Sequence, residues 1–134
     1  MKKLKLIEQY DQGGCAIACL AALTGQTYFE IRQFLYDNEI KKQKETIGLY
    51  EWELQNILFK YFNINSRWIK FESVYQLEKH CVLYLLPIDP PKNFARHCVI
   101  YDCNEFKILD PAQCLYNNLG GYNVSSCLEI QCEN

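Results

Sequence analysis

The sequence predicts an α+β domain in which N-terminal helices pack on a mostly antiparallel sheet. Apolar residues recur at helical spacing as far as about residue 62, and alternating or continuous apolar runs replace them from residue 67 onward. No repeat, low-complexity stretch or linker divides the two halves, and 134 residues suit one core. Residues 1–134 are therefore expected to form a single domain.

The elements follow in order. Residues 15–24, "CAIACLAALT", are apolar on every side, a pattern a helix tolerates only when it is buried all round, and Gly25 ends it. Thr27 with Glu30 forms a capping-box signature for a helix over about 28–37. Tyr50, Leu54, Ile57, Leu58 and Tyr61 predict a third helix over about 49–62, and the polar "NEIKKQKET" before it reads as an exposed loop. "RWIKF" at 67–71 alternates like a strand, and Ser73 with Gln76 suggests a short capped helix running to His80, which would cap its C-terminus. "VLYLLP" at 82–87 reads as a strand buried on both faces. "HCVIY" at 97–101, "FKILD" at 106–110 and "CLEIQ" at 127–131 complete the sheet.

Composition narrows the function classes. The net charge of −2 and scattered lysines and arginines give no phosphate-tracking surface, so no nucleic-acid partner is expected. The longest apolar runs, 15–23 and 81–88, are about half a membrane span, and the lysines of "MKKLKLIEQYD" lack the apolar stretch a signal peptide needs. A cytoplasmic location with reduced thiols is the expectation for the eight cysteines, at 15, 19, 81, 98, 103, 114, 127 and 132. None forms a CxxC pair, so neither a metal nor a cofactor is expected.

The residues that carry chemistry are Cys15, His97 and Asp110. In "EQYDQGGCAIACLAAL" a polar, glycine-containing stretch turns apolar at Cys15, so this cysteine opens a buried helix. The first N–H groups of a helix have no internal partner and carry partial positive charge. A thiolate placed there can have its pKa lowered from about 8.5 into the range of about 3.5–7.5. If "HCVIYDCNEFKILD" is a hairpin turning at Cys103–Asn104, Asp102 faces Glu105 and His97 faces Asp110, an imidazole beside a carboxylate that fixes its tautomer. Cys19, one turn further into the helix, reads as core.

The order of these residues resembles the bacteriocin-processing cysteine peptidases of the papain-like superfamily, which cut after double-glycine leaders. The resemblance rests on Gln9, Cys15, "ACLAAL" at 18–23, His97 and Asp110–Pro111, and spans about 9–111. It implies a papain-like fold, with Cys15 as nucleophile, His97 as general base and acid, and Asp110 as the orienting group. Gln9 would supply an N–H to the oxyanion hole beside the backbone N–H of Cys15, with Gln12 as its rival. The family usually has Asp before and Gly after the nucleophile, whereas this chain has Gly14 and Ala16, a departure that bears on substrate choice more than on chemistry.

The implied activity is a thiol peptidase acting on a peptide or protein substrate through an acyl-enzyme. The same triad could pass the acyl group to an amine, as a cysteine acyltransferase, or survive in a silent binding protein on the same fold. Read literally, "GG" would make residues 1–14 a leader, but the upstream positions that such leaders fill with apolar residues hold Asp11, Glu8 and Lys3. Loops over about 38–48 and 88–96 are expected to flank the cleft.

Overall fold

Three α-helices and five strands form among the described residues, which in this computed structural model are 3–43, 48–88, 97–112 and 119–131. The helices are α1 (Cys15–Thr24), α2 (Tyr28–Asp37) and α3 (Glu51–Phe62). The strands are β1 (Asn65–Ile69), β2 (Cys81–Pro87), β3 (His97–Asp102), β4 (Lys107–Leu109) and β5 (Tyr122–Gln131). They make one sheet in the order β1-β5-β2-β3-β4, antiparallel at each pairing. The chain is thus α+β, with its helices ahead of an antiparallel sheet.

Both faces of that sheet are covered. Val82, Tyr84, Cys98, Ile100, Leu128 and Ile130 join the helices in one core, while Cys81, Leu83, Leu85, Val99, Tyr101 and Cys127 form a second on the opposite face. This explains the unbroken apolar run of β2, which lies at the centre of the sheet and is buried from Cys81 to Leu85. α1 packs against α2, α3 and β3, so Cys15–Ala21 and Leu23 are all buried. Gly25 closes it in the left-handed conformation, φ 74°, which glycine adopts without a Cβ penalty.

α1 carries no side-chain cap and is held by burial, whereas α2 is fixed locally. The Thr27 hydroxyl accepts the Glu30 N–H at 3.1 Å, and the Glu30 carboxylate accepts the Thr27 N–H at 3.0 Å. α3 begins at Glu51, within two residues of expectation.

Three expectations shift. β1 starts at Asn65 rather than 67, because its partners on β5 run from Gln131 back to Cys127 and stop there. β5 extends back to Tyr122, since "YNVSS" pairs with the second half of β2 in spite of its weak strand pattern. The helix expected up to His80 is a single 3-10 turn, Val74–Gln76, that ends at Leu77. His80 does not cap it; the side chain is buried instead beneath the β3–β4 turn, where its Nδ1 accepts the Cys103 N–H at 3.2 Å. The expected cleft loop over 88–96 lies outside the described residues from 89 on, as do residues 44–47 of the other loop and Cys114 and Cys132.

Candidate active site

Cys15 is the first residue of α1, with Gly14 as its N-cap. The turn that presents it is built by residues from two elements. Gly14 N–H donates to the Asp11 carbonyl at 3.0 Å, and Gly13 adopts φ 79°. The Asp11 carboxylate accepts the Tyr28 hydroxyl at 2.7 Å and Arg32 Nη1 at 3.1 Å from both oxygens. Tyr28 Oη in turn accepts the Asp11 backbone N–H at 3.2 Å. The first turns of α2 therefore fasten the loop that carries Cys15. Gly14 makes the contact possible, because a Cβ there would lie 2.0 Å from the Tyr28 hydroxyl oxygen.

His97 opens β3, and Asp110 follows the end of β4. Their Nε2 and Oδ1 atoms are 2.5 Å apart, and the same carboxylate oxygen accepts the Ala112 N–H at 3.0 Å. Both side chains are shielded, the carboxylate almost completely. The two residues meet although the hairpin register differs from expectation. Tyr101 pairs with Ile108 and Asp102 with Lys107, so the turn takes in residues 103–106. Asp102 causes this widening: its Oδ1 accepts the N–H groups of Asn104 and Glu105 at 3.0 and 3.3 Å, as an Asp opening a turn does. A shift of two residues preserves the strand face, so His97 and Asp110 are diagonal rather than direct neighbours.

The Cys15 sulfur completes the group. Hydrogen bonding from the Cys98 thiol, then from His97, outweighs burial and lowers the Cys15 pKa from 9.0 to about 5. Burial pushes His97 the other way, but the hydrogen bonds to Asp110 and Cys15 prevail and raise it from 6.5 to about 10. Between those limits the pair is a thiolate and an imidazolium. Nε2 faces Asp110, which leaves Nδ1 for the thiol.

Gln9 sits against the same corner: its backbone N–H donates to the Pro111 carbonyl at 3.1 Å. Its Nε2 donates one hydrogen to the Asp11 carbonyl at 3.2 Å, which fixes the amide orientation and leaves the second hydrogen, while Oε1 is buried without a partner. Gln12 is exposed on the turn. Cys19 is core, as its position predicts, but its sulfur lies 3.8 Å from that of Cys98.

Sequence reasoning missed Cys98 and the Asp11–Tyr28–Arg32 cluster. Cys98 reads as one more small hydrophobe in "HCVIY", although its place directly after His97 was a usable signal. Among the described residues, no group of His, Cys, Asp and Glu could hold a metal ion, and no helix is long and apolar enough to cross a membrane. An open groove of about 260 Å³ between α3 and β1, lined by Trp52, Gln55, Asn56, Phe59, Asn65 and Ser66, involves none of the residues above. No family model and no curated protein matches the chain.

Proposed function

We propose that this protein is a thiol peptidase of papain-like architecture that cleaves a peptide or isopeptide bond through a Cys15 acyl-enzyme. One observation carries the reading: a cysteine at the first position of a buried helix contacts a histidine whose other ring nitrogen is held by a buried carboxylate. Composition supplies nothing comparable, since each of these residue types is common in cores.

The chemistry follows from the contacts. The Cys15 thiolate attacks the scissile carbonyl carbon, and the oxyanion that forms accepts the Cys15 backbone N–H and the remaining Gln9 Nε2 hydrogen. One such donor is worth about 3–4 kcal/mol in the transition state. His97 gives its Nδ1 proton to the leaving amine, then takes a proton from the water that attacks the thioester and releases the acid and Cys15. Asp110 holds the ring and stabilises its charged form throughout. A reducing setting such as the cytoplasm keeps the thiol available for this cycle.

The test is a screen of fluorogenic peptide amides, with intact-mass detection of an acyl adduct on Cys15. Turnover in the native protein and its loss in Cys15→Ala and His97→Ala is the expected result. Failure of peptide-based thiol electrophiles to label Cys15 in the folded native protein would overturn the reading.

A further inference from the structure

Three thiols, not one, meet where α1 begins. The Cys98 sulfur lies 3.8 Å from that of Cys19 and also faces Cys15, it is fully buried, and α1, which Cys15 opens, packs directly on the strand that carries it. The Cys98 backbone N–H also reaches the Cys15 sulfur. A triad needs only one sulfur; the second thiol supports the Cys15 thiolate but takes no bond in acyl transfer.

We propose that Cys15 and Cys98 form a peroxide-responsive dithiol, in which a hydroperoxide oxidises Cys15 and Cys98 resolves the product as a reversible Cys15–Cys98 disulfide. The proposal rests on Cys15 being the activated nucleophile of the preceding section. In the first step the Cys15 thiolate attacks one oxygen of hydrogen peroxide. A sulfur–oxygen bond forms, the oxygen–oxygen bond breaks, and the departing hydroxide takes the His97 proton and leaves as water. In the second step the Cys98 sulfur attacks the Cys15 sulfenic acid, the sulfur–sulfur bond forms, and hydroxide leaves with the Cys98 proton as a second water. Two thiols are oxidised by two electrons in total and one peroxide is reduced to two waters. The consequence is a peptidase switched off by oxidant and switched on again by a dithiol, with its nucleophile protected from irreversible oxidation to the sulfinic acid.

The sulfur environments select this order. Cys15 is the thiolate of the group, while burial and its two thiol neighbours keep Cys98 protonated well above the ordinary range. Cys98 therefore waits for the sulfenic acid instead of reacting with peroxide itself. Cys81 and Cys127, near neighbours on β2 and β5 on the far side of the sheet, serve as an internal control.

The experiment is peptide mapping under non-reducing conditions after exposure of the native protein to equimolar hydrogen peroxide. A Cys15–Cys98 cross-linked peptide, lost on addition of dithiothreitol, is the expected result. In Cys98→Ser the same treatment should leave a Cys15 sulfenic acid that dimedone traps. After excess peroxide, dithiothreitol should recover about tenfold less reactive Cys15 in that variant than in the native protein, because sulfinic acid is not reduced. Cys19→Ser should still form the cross-link. Oxidation of Cys15 without a Cys98 cross-link, or a cross-link from Cys15 to any other cysteine, would overturn the proposal while leaving the peptidase reading standing. Absence of any Cys15 oxidation, with iodoacetamide still labelling Cys15 rapidly, would overturn it as well. The native map needs no variant, so a misfolded Cys98→Ser would not shield the proposal.

Discussion

The fold contains two His–Asp pairs, and they behave in opposite ways. At His97 the imidazole lies between the Asp110 carboxylate and the Cys15 sulfur, and its pKa rises to about 10. At His80 the ring is buried with Nδ1 accepting the Cys103 N–H, 3.6 Å from Asp102 Oδ1, and burial lowers its pKa in spite of that carboxylate. Asp102 Oδ1 accepts two amides of its turn and stands off from the ring, whereas Asp110 Oδ1 accepts one amide, that of Ala112, and still lies 2.5 Å from the ring. Pairing a histidine with an aspartate is therefore not what makes a base. What else the ring meets, a cysteine thiol at His97 and a backbone N–H at His80, separates the two.

The sharpest way to break this comparison is to remove each ring. His97→Ala should slow iodoacetamide alkylation of Cys15 at pH 6 by about tenfold or more, because the thiol keeps its contact with Cys98 but loses the hydrogen bond and positive charge of His97, and its pKa climbs toward the ordinary range. His80→Ala should leave that rate unchanged, as peptide mapping of the alkylated protein would show. Its effect belongs to stability instead. Losing the hydrogen bond that His80 Nδ1 accepts from the Cys103 N–H should cost about 0.5–1.5 kcal/mol in denaturant unfolding. Asp110→Asn sharpens the contrast from the other partner: one pKa unit's worth of lost support for the charged ring should slow alkylation by about tenfold at pH 4 and by about twofold at pH 6. The smallest effect tests a site remote from both pairs. Thr27→Ala removes the α2 cap and should cost about 1 kcal/mol of stability without altering Cys15 reactivity.

The two pairs also separate in how they respond to pH. His97 is raised in the folded state, so its contribution to stability is complete below pH 6.5 and is lost as pH climbs toward about 10. Cys15 is lowered, so its contribution is complete above pH 9.0 and is lost as pH falls toward about 5. Together they give a plateau between those unperturbed values, with stability falling on both sides. Comparing the native protein with a Cys15→Ala, His97→Ala double variant across pH should isolate this profile.

Where the sequence was legible, the signal was local. α1 is readable because an all-apolar run begins at Cys15 and stops at Gly25, and α2 because Thr27 and Glu30 satisfy each other within one turn. The Cys15, His97 and Asp110 set was legible through its order along the chain and its place at element ends. The hairpin register was not, because it depends on Asp102 capturing two turn amides and on His80 holding a third from 23 residues away. The Asp11–Arg32 pair, 21 residues apart, and the approach of Cys98 to Cys15 arise only when α1 packs between α2 and β3. Contacts of that kind leave no period or spacing to read.

The most direct test of the thiolate–imidazolium pair is the pH profile of Cys15 alkylation, followed residue by residue with iodoacetamide from pH 4 to pH 10 in the native protein and in His97→Ala. A native rate that reaches half its plateau near pH 5 and stays level toward the alkaline limit set by His97, about 10, is the predicted result. In the variant the rise should move toward the range of an ordinary thiol, about 8.5. A native profile that climbs only through that same alkaline range, and that His97→Ala leaves unmoved, would contradict the ion pair and the catalytic role built on it.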